Sequence, residues 1–167
     1  MVRKATAGDL PAINAIYEEA RQFMRAHGNL SQWVNGYPQQ ALLEADIEHS
    51  ELYVMVTHED VIYGVFMLHF GKDPTYAVIE DGKWLDDSEY ATIHRIASDG
   101  THSRVYHEAV EFAKMHCLHL RVDTHADNKP MQQAIRREGF TYCGIIHLEN
   151  GDPRYAYEWI SPVLSSH

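Results

Sequence analysis

The sequence predicts a mixed α/β (α+β) domain spanning residues 1–167, and three observations carry that reading. Strand and helix patterns alternate from Tyr90 to Leu148, which argues for a partly parallel sheet. Hairpin patterns flank that stretch, "ELYVMVT" with "VIYGVFMLHF" before it and "FTYCGIIHL" with "RYAYEWI" after it, and these call for antiparallel edges. A chain of 167 residues can also bury roughly 70% of its unfolded surface, so one core suffices without staples.

The elements follow in order. Val2 to Ala5 reads as a short strand, and Thr6 with Asp9 has the spacing of a capping box with the shorter acid. A helix starts there, with Leu10, Ile13, Tyr17, Ala20, Phe23 and Met24 on one face until "HGN" at His27 breaks the pattern. "QWVNGYP" is a loop, and a weaker helix runs from Gln39 to His49 with Leu43 and Ile47 inward. The first hairpin turns at "HED" and is rich in β-branched and aromatic residues. In the insert Gly71 to Tyr90, the turn signals "KDP" and "EDG" surround "TYAVI", which predicts an extra strand, with Trp84 and Leu85 folded back onto the body.

"YATIHRIAS" is the next strand, and Tyr106, Ala109, Val110 and Ala113 form one apolar stripe on the helix after it. "LHLRVDTH" alternates through Leu118, Leu120 and Val122 as a strand. Asp127 or Asn128 caps a short helix with Pro130 in its first turn, Met131 and Ile135 inward, and Gly139 suited to a left-handed end. Tyr155, Tyr157 and Trp159 share one face of the final strand. Packing on the first helix and contact with a second subunit, as in a homodimer, are both open for that face.

Composition excludes several classes of function. With 24 acidic and 14 basic side chains, the formal charge of -10 opposes nucleic acid and anionic membrane as partners and favours cationic or neutral small molecules. No apolar run approaches the roughly 18 residues of a membrane span, and "MVRKATAGDL" lacks the core of a signal peptide. Cys117 and Cys143 lie in apolar surroundings, which reads as a reducing compartment, and the expected location is the cytoplasm. Twelve histidines invite a metal reading, but there is no HExxH, and the side chains of "HCLH" diverge where a helix passes into a strand. No metal site is expected; a histidine-rich metal-binding domain is the reading that metal analysis would separate.

The stretch "RIASDGTHSRVYHEAVEFA" joins a buried strand to an amphipathic helix through a short polar loop. Such a helix start gathers unpaired N–H groups and the positive end of the dipole, which suits an anion. This order of elements resembles the GNAT superfamily of acetyl-CoA-dependent N-acetyltransferases across nearly the whole chain. The wording of "DPTYAVIEDGKWL", "TIHRIAS", "DTHADNKPMQ" and "GFTYCGIIHLENGDPRYAY" is similar to a small bacterial branch of it.

The resemblance implies a GNAT-type acyl-CoA N-acyltransferase fold, a mixed and mostly antiparallel sheet with two central splayed parallel strands and flanking helices. It implies acetyl-CoA as donor and a small-molecule amine as acceptor. The splayed strands would be residues 93–98 and 118–125, with Ile96 and Ser98 bonding pantetheine amides through the main chain and Asn128 touching the cofactor arm. The pyrophosphate would rest on Thr101, Ser103, Arg104, Val105 and Tyr106. The superfamily pattern there is Gln or Arg, two residues, Gly, one residue, then Gly or Ala, so both small residues and the leading polar one are replaced. A positive φ at such a position would cost about 1–2 kcal/mol, while a bond from Arg104 to phosphate would return roughly 1.5–3 kcal/mol. Binding is expected to be weakened or rearranged rather than lost.

Acetyl transfer to an amine needs a neutral nitrogen, a base and donors for the oxyanion. The thiolate leaving group is tolerable at a thiol pKa near about 8.5. The tyrosine that many superfamily members use as acid falls here on Ile135. His125, at the end of a parallel strand, is the first choice of base, with Glu80 and His94 beside it. Ordering of the "THADN" turn by His125, and a cationic-acceptor contact by Glu80, are the alternatives. Tyr142 is a candidate proton donor, and Cys143, on the opposite strand face, reads as core. Two functions stay in view: an N-acetyltransferase, and a catalytically impaired GNAT-fold protein that binds CoA or another anion as a sensor or assembly module.

Overall fold

A computed structural model describes residues 1–165. Seven strands form one mixed sheet in the order β1-β2-β3-β4-β5-β7-β6: β1 (Val2–Lys4), β2 (Leu52–Val56), β3 (Ile62–Phe70), β4 (Ala91–Ser98), β5 (His119–Thr124), β6 (Thr141–His147) and β7 (Pro153–Ile160). Helices α1 (Leu10–Ala26), α2 (Gln40–Glu48), α3 (Val105–Lys114), α4 (Lys129–Arg137) and α5 (Pro162–Ser165) accompany them. Every strand pair is antiparallel except β4 with β5. The alternation that predicted parallel strands therefore yields one parallel neighbour pair, because β7 inserts between β5 and β6.

The two faces of the sheet carry separate cores. Ile13, Ile16 and Tyr17 of α1 and Leu43 of α2 pack on Leu52, Val54, Val56 and Val65. On the other face, Ala109, Val110 and Ala113 of α3 and Ile135 of α4 pack on Ile93, Leu120, Val122 and Tyr157. The aromatic face of β7 lies on this second core, with Lys114 over the Trp159 ring and Arg136 over that of Tyr157. It therefore faces α3 and α4 rather than the first helix.

The insert between β3 and β4 corrects an expectation. In place of an extra strand around "TYAVI" it has a 3-10 turn at Pro74–Tyr76 and an isolated bridge from Glu80 to Ile145. The insert lies too close to β6 for side chains: a Cβ on Gly82 would stand 1.9 Å from the Cys143 carbonyl oxygen. Trp84 does fold back, its Nε1 donating to the Tyr76 carbonyl at 2.9 Å, whereas the Leu85 side chain is exposed. The Leu85 N–H donates to Glu158, a buried carboxylate that also meets His119 at 2.6 Å and Arg121 at 3.0 Å. Arg121 is sandwiched by Trp84 and Tyr90, so one charged network fastens the insert to β5 and β7.

At the N-terminus, a 3-10 turn at Ala7–Asp9 precedes α1, and Asp9 accepts from the Thr6 N–H at 2.7 Å, the acidic half of the expected capping box. The Arg3 guanidinium grips the same carboxylate with two bonds of 2.8 and 3.0 Å. These bonds, with the one from Thr6, hold the Asp9 carboxyl at about 2 against an ordinary 3.8. A depressed carboxyl stabilises the fold above its unfolded pKa and loses that contribution as pH falls through the folded one. Asp9→Asn should therefore lower the Tm at neutral pH by about 2–6 °C. The gap from wild type should close between pH 3.8 and about 2 in thermal melts, and a gap independent of pH would contradict the assignment.

Candidate functional site

The parallel ladder between β4 and β5 holds only two residue pairs, Ala91 with Leu120 and Thr92 with Arg121. Beyond them the strands part, leaving β4 from Ile93 onward and β5 from Val122 onward without each other as ladder partners. Backbone N–H and C=O groups on these edges are open to a ligand that mimics a strand.

Local chemistry in β4 helps to hold the gap. Against β3, Val65 pairs with Ala97 and Met67 with His94, so β4 carries one extra residue at a bulge. Within it, Arg95 takes a left-handed φ of 52°, a conformation that an L residue reaches only at a cost of about 1–2 kcal/mol. Its surroundings compel it. The Tyr17 hydroxyl donates to the Arg95 carbonyl at 2.7 Å, and the guanidinium bonds buried Asp46 and, at 3.2 Å, the Tyr37 hydroxyl. The bulge changes the facing of β4: Ile93 and Ile96 both meet the α3/α4 core, while Ala97 joins the α1/α2 core.

A cavity of about 660 Å³ opens at the gap and reaches both faces of the sheet. On the α3/α4 side, Ile93, Ile96, Val122, Tyr106, Met131 and Ile135 give it an apolar wall. The opposite side is polar, with His94, Asp73, Thr75, Asp123 and Arg154. The loop between α1 and α2 adds a rim: Arg25 ties down the carbonyls of Asn29, Gln32 and Trp33, and Asn128 donates to Gln32 at 3.2 Å.

Two histidine–carboxylate pairs line the cavity, His94 with Asp73 and His69 with Glu51. His94 Nε2 lies 3.0 Å from Asp73 Oδ2. Burial opposes ionisation of Asp73, but bonds from His94 and from the Thr75 hydroxyl and N–H outweigh it and hold the carboxyl well below the usual range. Facing an ionised Asp73, Nε2 is the nitrogen that donates, and in the neutral imidazole the lone pair then lies on Nδ1. Nδ1 has no protein partner among the described residues.

The other expected site residues fall as follows. Ile96, Tyr106 and Asn128 line the cavity with His94, and the Asn128 side chain also caps α4, accepting from the Met131 N–H at 3.2 Å. His125 is turned into its own loop, its Nδ1 accepting from the Asp127 N–H at 2.9 Å. Glu80 is exposed beside His147, and Tyr142 packs edge-on against Tyr155 and Tyr157 at the sheet edge. None of these three is in the cavity wall. Ser98 ends β4, and Cys143 is buried in β6, where burial and the neighbouring Glu158 push its thiol up to about 12.

At the start of α3, Arg104 has φ 63° and makes no side-chain cap bond, so the position where the superfamily pattern has glycine is left-handed here. Val105 and Tyr106 begin the helix in the ordinary way, and the conformational cost falls on Arg104 alone. Arg104 and Ser103 border a shallow depression with Val2, His107 and Glu108, apart from the main cavity. Thr101 caps the turn, donating from its N–H and hydroxyl to Asp99, and His102 stacks on Tyr63 at 3.7 Å. Nearby, His107, Glu111 and Glu138 bring one possible ligand atom each within 4.8 Å. That grouping escaped the sequence reading because α3 and α4 meet only in the fold.

Asp73, Asp46, Arg95, Glu51, His69 and Arg154 also went unrecognised in sequence. Their spacing carries no motif, and only the bulge, the insert and the last hairpin bring them together.

Two stability tests follow from this geometry. Asp46→Asn, which leaves the Arg95 guanidinium buried without its counter-charge, should cost about 3 kcal/mol in chemical denaturation; a loss below about 1 kcal/mol would contradict the role given to the pair. Arg104→Gly relieves the left-handed cost against roughly 0.5–1 kcal/mol of added chain entropy. Its Tm should equal or exceed that of wild type, and a fall of several degrees would show that Arg104 makes contacts worth more than its strain.

No protein-family model matches the chain, and no curated protein does. Solved structures do. An acetyltransferase of the GNAT family from Streptococcus agalactiae 2603 is 28% identical, with a TM-score of 0.86 over 96% of this chain and 95% of that one. A GNAT-family acetyltransferase from Listeria monocytogenes 4b F2365 is 22% identical, with a TM-score of 0.71 over 96% and 94%. A phosphinothricin acetyltransferase from Sinorhizobium meliloti, solved in complex with AcCoA, shares the fold at 11% identity and a TM-score of 0.66 over 100% and 91%.

Proposed function

We propose that this chain, a member of the GNAT superfamily, is an acetyl-CoA-dependent N-acetyltransferase that acetylates a primary amine of a small molecule by direct attack. The gap between β4 and β5 carries the proposal. Two ladder pairs, then open strand edges above a cavity with an apolar and a polar side, suit a thioester arm entering from the α3/α4 face and an amine from the other. Ile93 to Ser98 would bond the pantetheine amides, with Ile96 and Ser98 supplying main-chain groups. The first N–H groups of α3, at Val105 and Tyr106, would face the pyrophosphate. Thr101, Ser103 and Arg104 would frame that end, and Asn128 would flank the arm.

His94 is the base this geometry favours. It lies on the first splayed strand, lines the cavity, and is oriented by a carboxylate that Thr75 fixes in turn. It would accept the ammonium proton directly or through water, after which the neutral amine attacks the thioester carbonyl. The C–N bond forms, the C–S bond breaks, CoA leaves as thiolate, and the second proton lost by the nitrogen passes through water to the thiolate or to solvent. Ile135 offers that thiolate no proton, and Tyr106, which burial holds well above an ordinary phenol pKa, is the neutral hydroxyl in the same wall. His125, Glu80 and Tyr142 are weaker proposals, since each is engaged or exposed outside the cavity.

Calorimetry with acetyl-CoA, followed by thiol release against a panel of amines, tests the function. Micromolar binding with turnover on at least one amine class is expected. Binding without turnover on any amine would favour the sensor or assembly reading, and no binding at millimolar acetyl-CoA would remove the acetyltransferase and leave only a sensor for another anion. His94→Gln should lower kcat/KM by about 10²-fold or more at unchanged acetyl-CoA affinity. Full activity in that variant would move the base elsewhere.

A further inference from the structure

The polar side of the cavity contains a charge that the acetyl-transfer scheme does not use. Arg154, near the start of β7, is only 7% exposed and lines the cavity. The other strongly buried arginines have carboxylate partners, Arg95 with Asp46 and Arg121 with Glu158. Arg154 has none among the described residues. Its one hydrogen bond among the described residues runs from Nη1 to the carbonyl of its neighbour Pro153 at 3.0 Å, which leaves most of its five donors uncommitted. Burial pushes its guanidinium below the ordinary value, with Asp123, Asp152 and Tyr37 exerting only an opposing Coulombic pull. A largely buried guanidinium with no carboxylate at ion-pair distance among the described residues, its free nitrogens open to the cavity, gains from a ligand that completes it.

Its position indicates which ligand. Ala156 opposes Asp123 in the β5–β7 ladder, and Arg154, two residues along, shares the face of Ala156. Asp123 bonds the Tyr76 hydroxyl at 2.5 Å, and the Tyr76 ring lies 6.3 Å from that of His94. Arg154 therefore belongs with His94 and Asp73 on the polar side, across the sheet from Tyr106, Met131 and Ile135.

We propose that Arg154 binds an anionic group on the acceptor, so that the substrates of this site are amines that also carry a carboxylate, namely amino acids or their close relatives. The inference rests on the acetyltransferase reading for its chemistry and on Arg154 alone for its specificity. A planar carboxylate matches the guanidinium fork with two parallel bonds, while the amine end meets His94. A zwitterion suits the protein as a whole as well, since a chain of net charge -10 repels free anions but not a neutral molecule with a carboxylate at one end.

The test uses matched pairs. α-Amino acids, β-alanine and γ-aminobutyrate are each assayed beside the corresponding amide, which keeps the amine and removes the charge. Thiol release gives kcat/KM, and calorimetry gives binding in the absence of turnover. Wild type should prefer the best carboxylate over its amide by about 10- to 100-fold. In Arg154→Gln that ratio should fall to near one, and Arg154→Lys should restore part of it. Turnover of amines with no preference for the carboxylate in wild type would overturn this inference and leave the acetyltransferase reading standing. Binding of amino acids in preference to their amides, without turnover, would leave the carboxylate contact at Arg154 standing and overturn the acetyltransferase reading. If Arg154→Gln loses acetyl-CoA instead, the guanidinium serves the donor and the proposal is wrong. Should Arg154→Gln fail to fold, the wild-type ratio and Arg154→Lys still decide the matter.

Discussion

Strand β4 is under a constraint from which the rest of the site follows. It must pair with β3 along its length, yet it leaves β5 after two residues. The extra residue at Arg95 adds local twist where the ladder ends, and a side chain other than glycine occupies the left-handed position because its surroundings fix it there. Asp46 from α2, Tyr37 from the α1–α2 loop and Tyr17 from α1 all converge on Arg95. Helices distant in sequence thus help to set the shape of a gap to which only β4 and β5 contribute strand edges.

A second buried network works from the other end. Glu158, His119 and Arg121 fasten the insert to β5 and β7, with Trp84 and Tyr90 covering the Arg121 guanidinium. The insert in turn supplies Asp73 and Thr75, which orient His94. Positioning of the histidine thus traces back to charges buried about one strand away from it. Both networks spend buried charge on geometry rather than on net stability, since a buried ion pair gains little over apolar packing.

Much of this fold was legible in the sequence, and the reasons are physical. Apolar periodicity placed the helices because each buries a single stripe, as with Ala109, Val110 and Ala113. The extra strand expected in the insert failed because "TYAVI" is short and is held by Tyr76 and Trp84 against a small core of its own, with a close approach at Gly82 in place of a ladder. Of the candidate site, the parting of the strands and the place of Asn128 beside the cavity were legible through the resemblance, while their binding of a cofactor belongs to the proposal. His94 was among the candidates, but the favoured His125 proved to be satisfied within its own turn. Asp73 and Arg154 carried no signal, since a carboxylate in an insert and an arginine in a strand take the places proposed for them only through the neighbours that folding gives or denies them.

The most direct test of the central claim is amide hydrogen exchange with and without acetyl-CoA. A thioester arm in the gap should slow exchange along Ile93 to Ser98 and at the start of α3, with smaller effects at Asn128 and none along β1 or β6. Saturating acetyl-CoA that leaves the amides of β4 unprotected, or that protects a different surface, would contradict the gap as the donor site.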